Sequence, residues 1–469
     1  KNLLIDIAMF TISNFGSKVM VFLMVPLYTH VLAAEEYAIA DLVTGTINIL
    51  LPVMTLAITE ATLRFLLDEN FEKGKILGAS LLFIGISTLL LVAATPLSGY
   101  LNEKIGDYWG YFLVMYLTTA LNGCMSNYIR GIDKTRLFAM KGVLHTMLLV
   151  ALNLLMLLGF QLGLQGYLLA IILSDSLALL YMVAGCRLWK IIPTIRLDRD
   201  VIRQMLKYSI PMIPTIIAWW VMQISDKYVL IAYSGLAVSG IYSVAYRIPS
   251  VLAIVSSVFN QAWQISAVKS MSDDDYTQYV IRVYRYFFAI SLGLCGVLIA
   301  CSQIIGSFMF QGDYYIAWKY VPVLLLAYFL SGLSGVMASI FTTMKRTSVL
   351  LYSTVCAAAV NLVLNFLLIP QYGAMAAAAT TAIGFFVTFV VRTFCTKKFF
   401  GISLNSGREI AMVLLLVLQA VVTSADATFK HPVSAVCLLI MVAVYFREIV
   451  VFVKKLKTLP KKMNGGRNA

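Results

Sequence analysis

The sequence predicts an all-α membrane protein of about fourteen transmembrane helices, arranged as two six-helix lobes with an appended C-terminal helix pair. Three observations carry this prediction. Of the 469 residues, 61% are hydrophobic and 12% charged, with a mean hydropathy of +0.88. A soluble domain carries roughly twice that charged share, so the apolar surplus is not an ordinary core. Apolar stretches of about 20 residues, the length that crosses a bilayer as helix, recur along the whole chain. Finally, lysine and arginine gather on alternate segments between those stretches.

The stretches run at approximately 5–32, 38–63, 76–100, 108–129, 138–160, 164–186, 209–233, 239–266, 283–309, 317–342, 348–369, 373–394, 409–428 and 432–453. Strict two-residue alternation is absent, which excludes a β-barrel. With a cytoplasmic amino terminus, the inside segments hold 30 of the 36 Lys and Arg residues, and the outside segments hold Lys104, Lys319 and Lys430. Lys18, Lys227 and Arg247 fall within spans. One miscounted helix in mid-chain would erase this bias, so both termini are expected in the cytoplasm of a plasma membrane. The net charge of +14 then orients the chain and attracts anionic lipid at the cytoplasmic face; it does not call for nucleic acid. The seven Cys lack metal or redox spacing and read as small apolar fillers. No cleavable signal peptide is expected, because the first apolar run is too long for one.

The halves repeat. "DKTRLFAMKGVLHTMLLVALNLLML" (133–157) aligns with "KRTSVLLYSTVCAAAVNLVLNFLLI" (345–369), pairing Thr135 with Thr347 and Asn153 with Asn365. After a small gap, "GLQGYLLA" from Gly163 meets "GAMAAAAT" from Gly373. An even number of spans separates the copies, so they share one orientation, a parallel repeat. The expected division is an N-lobe at 1–190 and an amphipathic cytoplasmic linker at 191–207. A C-lobe at 208–396 and the extra pair with a basic tail at 397–469 complete it. Within "IRLDRDVIRQMLK", Leu197, Val201, Ile202, Met205 and Leu206 form one apolar stripe, a pattern suited to the membrane interface.

Charges inside the spans are the chemically informative feature. Each costs about 2.5–3.5 kcal/mol at mid-bilayer, so such groups line a polar cavity or pair with one another. In "ISDKYVLIAYSGLAVSGIYSVAYRIPSV" (224–251), Asp226 and Arg247 lie at matched depth on consecutive helices, about 12 Å from the outer surface at 1.5 Å per residue. They are the simplest ion pair. Asp226 and Lys227 point about 100° apart on a helix and each needs a different partner. Lys18 sits mid-way along the first span, Asp175 mid-way along the sixth, and Asp41 near the start of the second. Asn122, His145, Asn153, Asn361 and Asn365 read mostly as interhelical hydrogen-bonding groups. Trp219, Trp220 and Trp263 read as packing, and Pro26, Pro52, Pro211, Pro214, Pro249 and Pro322 as places to bend. "SDDDY" (272–276) carries a spacing met in metal-dependent glycosyltransferases, but helix capping accounts for it. No nucleophile–base pair and no long outer loop are present for catalysis, so the chain is not expected to be an enzyme.

"DKYVLIAYSGLAVSGIYSVAYRI" resembles the helix seven to eight signature of bacterial polysaccharide repeat-unit flippases, an acid, then a base, then a G-x-Y-s-x-A-y-[KR] run. "PLYTHVLAAEEYAIADL" (26–42) resembles their first outer loop, with Ala33 and Ala38 where Gly is usual, and "LLIPQYGAMAAA" extends the likeness across twelve helices. That family belongs to the multidrug/oligosaccharidyl-lipid/polysaccharide (MOP) exporter superfamily, whose two six-helix bundles face a central cavity. The resemblance implies transfer of undecaprenyl-pyrophosphate-linked oligosaccharide to the outer leaflet by alternating access, for cell-surface polysaccharide synthesis. Fourteen helices resemble the lipid II flippase, whose extra pair helps form a groove for the lipid tail. Lys18, Lys227 and Arg247 are then the pyrophosphate ligands. Asp226, Asp175 and Asp41 are ion-pair or coupling groups for Na⁺ or H⁺, with no other cofactor. Glycan polymerase machinery is a further possible partner. A drug/cation antiporter of the same superfamily and a membrane glycan polymerase or ligase are the competing readings.

Overall fold

In the computed structural model, residues 20, 22–68, 70–96, 106–269, 275–344, 346–404 and 406–465 are described. Among them the regular structure is helical. The first predicted span lies mostly outside these residues; its last turn is α1 (Val25–Val31). The next five predicted spans appear in order. The second is α2 (Ala34–Met54) and α3 (Ile58–Leu66), the third α4 (Lys73–Ala93) and the fourth α5 (Trp109–Gly131). The fifth is α6 (Thr135–Asn153), continued by a π-helical turn over Leu154–Gly159, and the sixth is α7 (Gly163–Cys186). The linker forms α8 (Arg199–Ser209).

The later spans appear as two long helices, each broken at a glycine, and as separate helices around them. α9 (Ile213–Ala245) holds Gly235 at φ 84°, and α10 (Arg247–Lys269) continues its second arm. α11 (Tyr276–Ala300) and α12 (Ser302–Met309) follow, then α13 (Val321–Thr343). α14 (Ser348–Phe400) holds Gly373 at φ 58°. α15 (Gly407–Ser424) and α16 (Lys430–Gly465) are the C-terminal pair. Ten helices among the described residues are long and apolar enough to cross a membrane. The protein is a multi-pass membrane protein; the total of fourteen remains a sequence expectation.

Contacts show that α9 folds back at its glycine, since Ser239 Oγ donates to the Lys227 carbonyl at 3.4 Å. α14 does the same, because a Cβ on Gly384 would stand 3.1 Å from Asn361 Cβ. Positive φ is the reason for glycine at both breaks, as any Cβ would strain there. Gly163, which the repeat pairs with Gly373, also has positive φ (54°). The two copies therefore turn at equivalent glycines.

The chain divides into two compact units, Lys1–Trp220 and Val221–Ala469. The division falls inside α9 because its start is tied to the first unit. Ser209 Oγ donates to the Leu56 carbonyl at 2.7 Å, and Trp220 Nε1 donates to the Gly45 carbonyl at 2.8 Å. The apolar residues of α8 itself pack on protein, while Leu197, just before the helix, is exposed. Val201 and Met205 are buried in a core with Ile58, Ile76, Ile129 and Met182, and Ile202 and Leu206 pack against it. Asp198 caps α8 through the Asp200 and Val201 amides and pairs with Lys75 Nζ at 3.1 Å.

The prolines lie at or near breaks between helical segments, as expected of places to bend. Pro26, Pro211 and Pro322 occupy the first positions of helical segments, and Pro214 and Pro249 follow close behind helix starts. There the missing N–H costs nothing. Pro52 lies inside α2 and precedes the positive-φ residues Leu56 and Ala57.

Candidate functional site

The second unit builds its polar centre on the α9 hairpin. Asp226 is 1% exposed and Lys227 7% exposed, so both charges are removed from solvent. The Asp226 carboxylate accepts from the Lys227 amide at 2.9 Å, Tyr242 Oη at 2.7 Å, Tyr246 Oη at 2.6 Å and Thr381 Oγ1 at 3.0 Å. Each charge-assisted bond of this kind contributes about 1.5–3 kcal/mol, which offsets the burial of the anion. Tyr246 also carries Lys227: the ammonium lies 4.7 Å from its ring centroid. One side chain thus serves the acid through its hydroxyl and the base through its π-face.

The centre continues into α14. Asn365 Nδ2 donates to Ser225 Oγ and to Asn361 Oδ1, both at 3.2 Å, and Thr380 Oγ1 donates to Asn365 Oδ1. Asn361 Nδ2 is buried without a hydrogen-bond partner. Arg247 opens α10 immediately after Tyr246 and is half-buried. The structure therefore gathers Asp226, Lys227 and Arg247 within one hairpin and its continuation. The short contacts of the carboxylate are hydroxyls and an amide, where the sequence suggested Arg247.

The first unit holds a separate cluster. The Asp175 carboxylate accepts from Asn122 Nδ2 at 3.1 Å and Thr119 Oγ1 at 3.4 Å, and lies 3.1 Å from His145 Nε2. Lys141, one turn before His145, donates to Ser126 Oγ at 3.4 Å. Asp41 sits half-buried on α2, where its carbonyl accepts from Thr44 Oγ1 at 2.9 Å. Lys18 lies outside the described residues. No group of three or more His, Cys, Asp or Glu able to hold a metal ion occurs among the described residues.

Sequence reasoning missed several residues. Tyr242, Tyr246 and Thr381 are apolar-looking or neutral, and only their matched helical depth with Asp226 points to them. Arg392 is 3% exposed; its guanidinium donates to Ser353 Oγ at 3.0 Å, the Ser334 carbonyl at 2.9 Å and Thr354 Oγ1 at 3.2 Å. It lies near the end of the apolar stretch 373–394, where a charge does not stand out in the sequence, and the helix continues to Phe400. Glycosyltransferase-like "SDDDY" leads into α11, yet Asp275 makes no side-chain cap there.

Between α14 and α15 runs an apolar groove of about 450 Å³, lined by Phe386, Val390 and Phe394 and bounded by Lys397 and Glu409. Glu409 is 1% exposed and accepts from the Ser406 amide at 3.0 Å.

Over residues 3–264 the sequence matches the family described as polysaccharide biosynthesis protein. No curated protein sequence matches it significantly. Among solved structures, the lipid II flippase MurJ in an inward closed conformation is similar, with TM-score 0.70 and 14% identity, covering 95% of this chain and 99% of that one. An inward-facing multidrug resistance MATE family transporter of the MOP superfamily has TM-score 0.66 and 13% identity, covering 86% and 96%. A MOP superfamily transporter from Pyrococcus furiosus, described as having a binding pocket of reverse polarity, has TM-score 0.57 and 13% identity, covering 88% and 96%. At these identities the likeness shows the fold, which is that of the MOP superfamily.

Proposed function

Because the chain belongs to the polysaccharide biosynthesis protein family, we propose that it is a flippase for undecaprenyl-pyrophosphate-linked oligosaccharide repeat units. It moves them from the cytoplasmic to the outer leaflet of a bacterial plasma membrane by alternating access. The observation that carries the reading is the buried acid–base centre of α9, Asp226 and Lys227 set in a mostly apolar helix. A pyrophosphate and a sugar cannot cross hydrocarbon unaided, since each polar group would lose its water without replacement. Lys227 and Arg247, with Lys18, replace that water around the phosphates, and Arg suits a phosphate through its two-pronged donors. Asp226 and Tyr246 hold Lys227 when no substrate is present.

In this reading the groove beside α15 takes the lipid tail, and anionic lipid lies against the basic cytoplasmic segments. Asp226, Asp175 and Asp41 are the candidate coupling groups for Na⁺ or H⁺. Glycan polymerase machinery is the proposed consumer of the product. The chain performs no covalent chemistry on its substrate: product analysis after transport is expected to return the lipid-linked sugar unchanged, and a new glycosidic bond would favour the polymerase reading. A drug/cation antiporter is the second reading, favoured by the likeness to MATE transporters. The intramembrane cations oppose it, because they repel a cationic drug.

The test is accumulation in a strain lacking the protein. Lipid-linked repeat units protected from externally added glycosidase are expected. Normal exposure of these units at the outer face would refute the proposal.

A further inference from the structure

We propose that the ends of α11 and α16 form a site for one anionic glycerophospholipid, whose singly charged phosphodiester is held by Arg282 and Arg285. The site stands apart from the cargo centre, and it rests on the reading above only for which membrane face is cytoplasmic. A hollow of about 350 Å³ lies there, lined by Gln278, Ile281, Arg282, Arg285 and Tyr286 of α11 and by Glu448 of α16. The α11 residues recur at the three- and four-residue spacing that lines one helix face. They end on the membrane side in Tyr286, and tyrosine suits the level of lipid headgroups.

The charges around the hollow do not cancel. Arg408 donates to Glu448 Oε1 at 2.8 Å, and its guanidinium lies 4.0 Å from the Tyr445 ring centroid. Arg285 Nε stands 3.7 Å from Glu409 Oε1, too far for a hydrogen bond, and that oxygen is buried without a hydrogen-bond partner. Arg285 therefore keeps its two Nη groups for the hollow. Arg282 is exposed and has no ion pair or hydrogen bond among the described residues. The guanidinium groups of Arg282, Arg285 and Arg408 thus face the carboxylates of Glu409 and Glu448, which leaves one net positive charge.

A phosphodiester with one negative charge matches that balance, and arginine forks suit its two free oxygens. A phosphate monoester would bring a second charge against Glu448. A headgroup ammonium would find Glu448 already held by Arg408. A glycerol headgroup instead offers hydroxyls, which the Glu448 carboxylate and the Gln278 amide oxygen accept. The acyl chains have a surface to follow, since Val444 and Phe446, within a turn of Glu448 on its membrane side, are 37% and 59% exposed. Basic pockets between helices at the cytoplasmic leaflet are where anionic lipids collect. Held in this way, the lipid bridges α11 to the appended pair, and binding to the folded chain alone stabilises it by mass action.

The experiment uses the full chain in nanodiscs of phosphatidylcholine, alone or with phosphatidylglycerol or phosphatidylethanolamine. It reads the lipid retained in native mass spectrometry and the midpoint of thermal unfolding. Wild type is expected to retain one phosphatidylglycerol in preference to the other two lipids, and to unfold at a higher midpoint when it is present. Arg282→Gln is expected to lower the apparent affinity for phosphatidylglycerol at least about tenfold and to lose most of the gain in midpoint. Its midpoint in phosphatidylcholine alone is expected to match wild type, because Arg282 holds no protein partner. Arg282→Lys keeps the charge without the fork and is expected to bind less tightly than wild type and more tightly than Arg282→Gln. Arg203→Gln removes an exposed charge from α8 and is expected to behave as wild type. Equal retention of the three lipids, wild-type binding by Arg282→Gln, or an equal loss in Arg203→Gln overturns the proposal. Inorganic phosphate at the concentration of the lipid is expected to leave retention unchanged; displacement by it would assign the site to a free anion and overturn the lipid. Neither readout involves transport, so this proposal and the flippase reading fail separately.

Discussion

Tyr246 joins two charges that chain adjacency keeps apart. Asp226 and Lys227 are neighbours on a helix and cannot face each other, so each seeks its own partner, and one tyrosine meets both. Tyr246→Phe keeps the ring beneath Lys227 and removes the hydroxyl. It is expected to cost about 1–2 kcal/mol, read as a lower unfolding midpoint in detergent. Asp226→Ala leaves a buried cation uncompensated and is expected to cost more, about 3–5 kcal/mol; an unchanged midpoint in Tyr246→Phe would show that Tyr246 acts by packing alone. The charges themselves were legible, because Asp226, Lys227 and Asp175 stand out against apolar sequence. Their partners were not: Tyr242, Tyr246 and Thr381 are ordinary residues of membrane helices; the fold-back at Gly235 selects the two tyrosines, and Thr381 comes from α14. Arg392 and Lys141, which lie near the cytoplasmic ends of the apolar stretches 373–394 and 138–160, were not singled out, because a charge at the end of an apolar run does not stand out.

At the scale of elements, the glycines that break α9 and α14 carry the hairpins. Gly373 has open space around it, with Ser234 Oγ 3.9 Å from a built Cβ, so Gly373→Ala tests backbone strain without a clash. The expected cost is about 1–2 kcal/mol, measured as the same midpoint shift; no change would mean the turn does not need its positive φ. Gly131→Ala is expected to cost more, since its Cβ would stand 2.4 Å from Leu66 Cβ. The start of α8 supplies a pH dependence. Lys75 beside Asp198, with the Val201 and Asp200 amides, holds that carboxyl below its usual range. A depressed carboxyl stabilises above its unfolded value and loses this as pH falls through the folded one. Docking of α8 is therefore expected to loosen below about pH 4, and Asp198→Asn to remove that dependence; protease sensitivity of the 187–199 segment is the readout. The spans were readable from length and charge, and the repeat from Asn153 and Asn365. That α8 buries its stripe in protein was not, because an apolar stripe looks alike whether lipid or a helix covers it.

For the whole molecule, fold and function separate. Two compact units, a hairpin-rich second half and an appended pair agree with the MOP fold, and the sequence carried most of this through its bilayer-length runs. The substrate is a matter of side chains in the spans and was legible only as a charge type: cations suited to phosphate, without the sugar. The most direct measurement is quenching of a fluorescent undecaprenyl-pyrophosphate-linked disaccharide in proteoliposomes, comparing wild type with Lys227→Ala and Arg247→Ala. The account predicts transfer between leaflets by wild type and at least about a tenfold loss in each variant, worth about 1.4 kcal/mol of lost phosphate binding. Correctly inserted variants that transfer the lipid at the wild-type rate would contradict it.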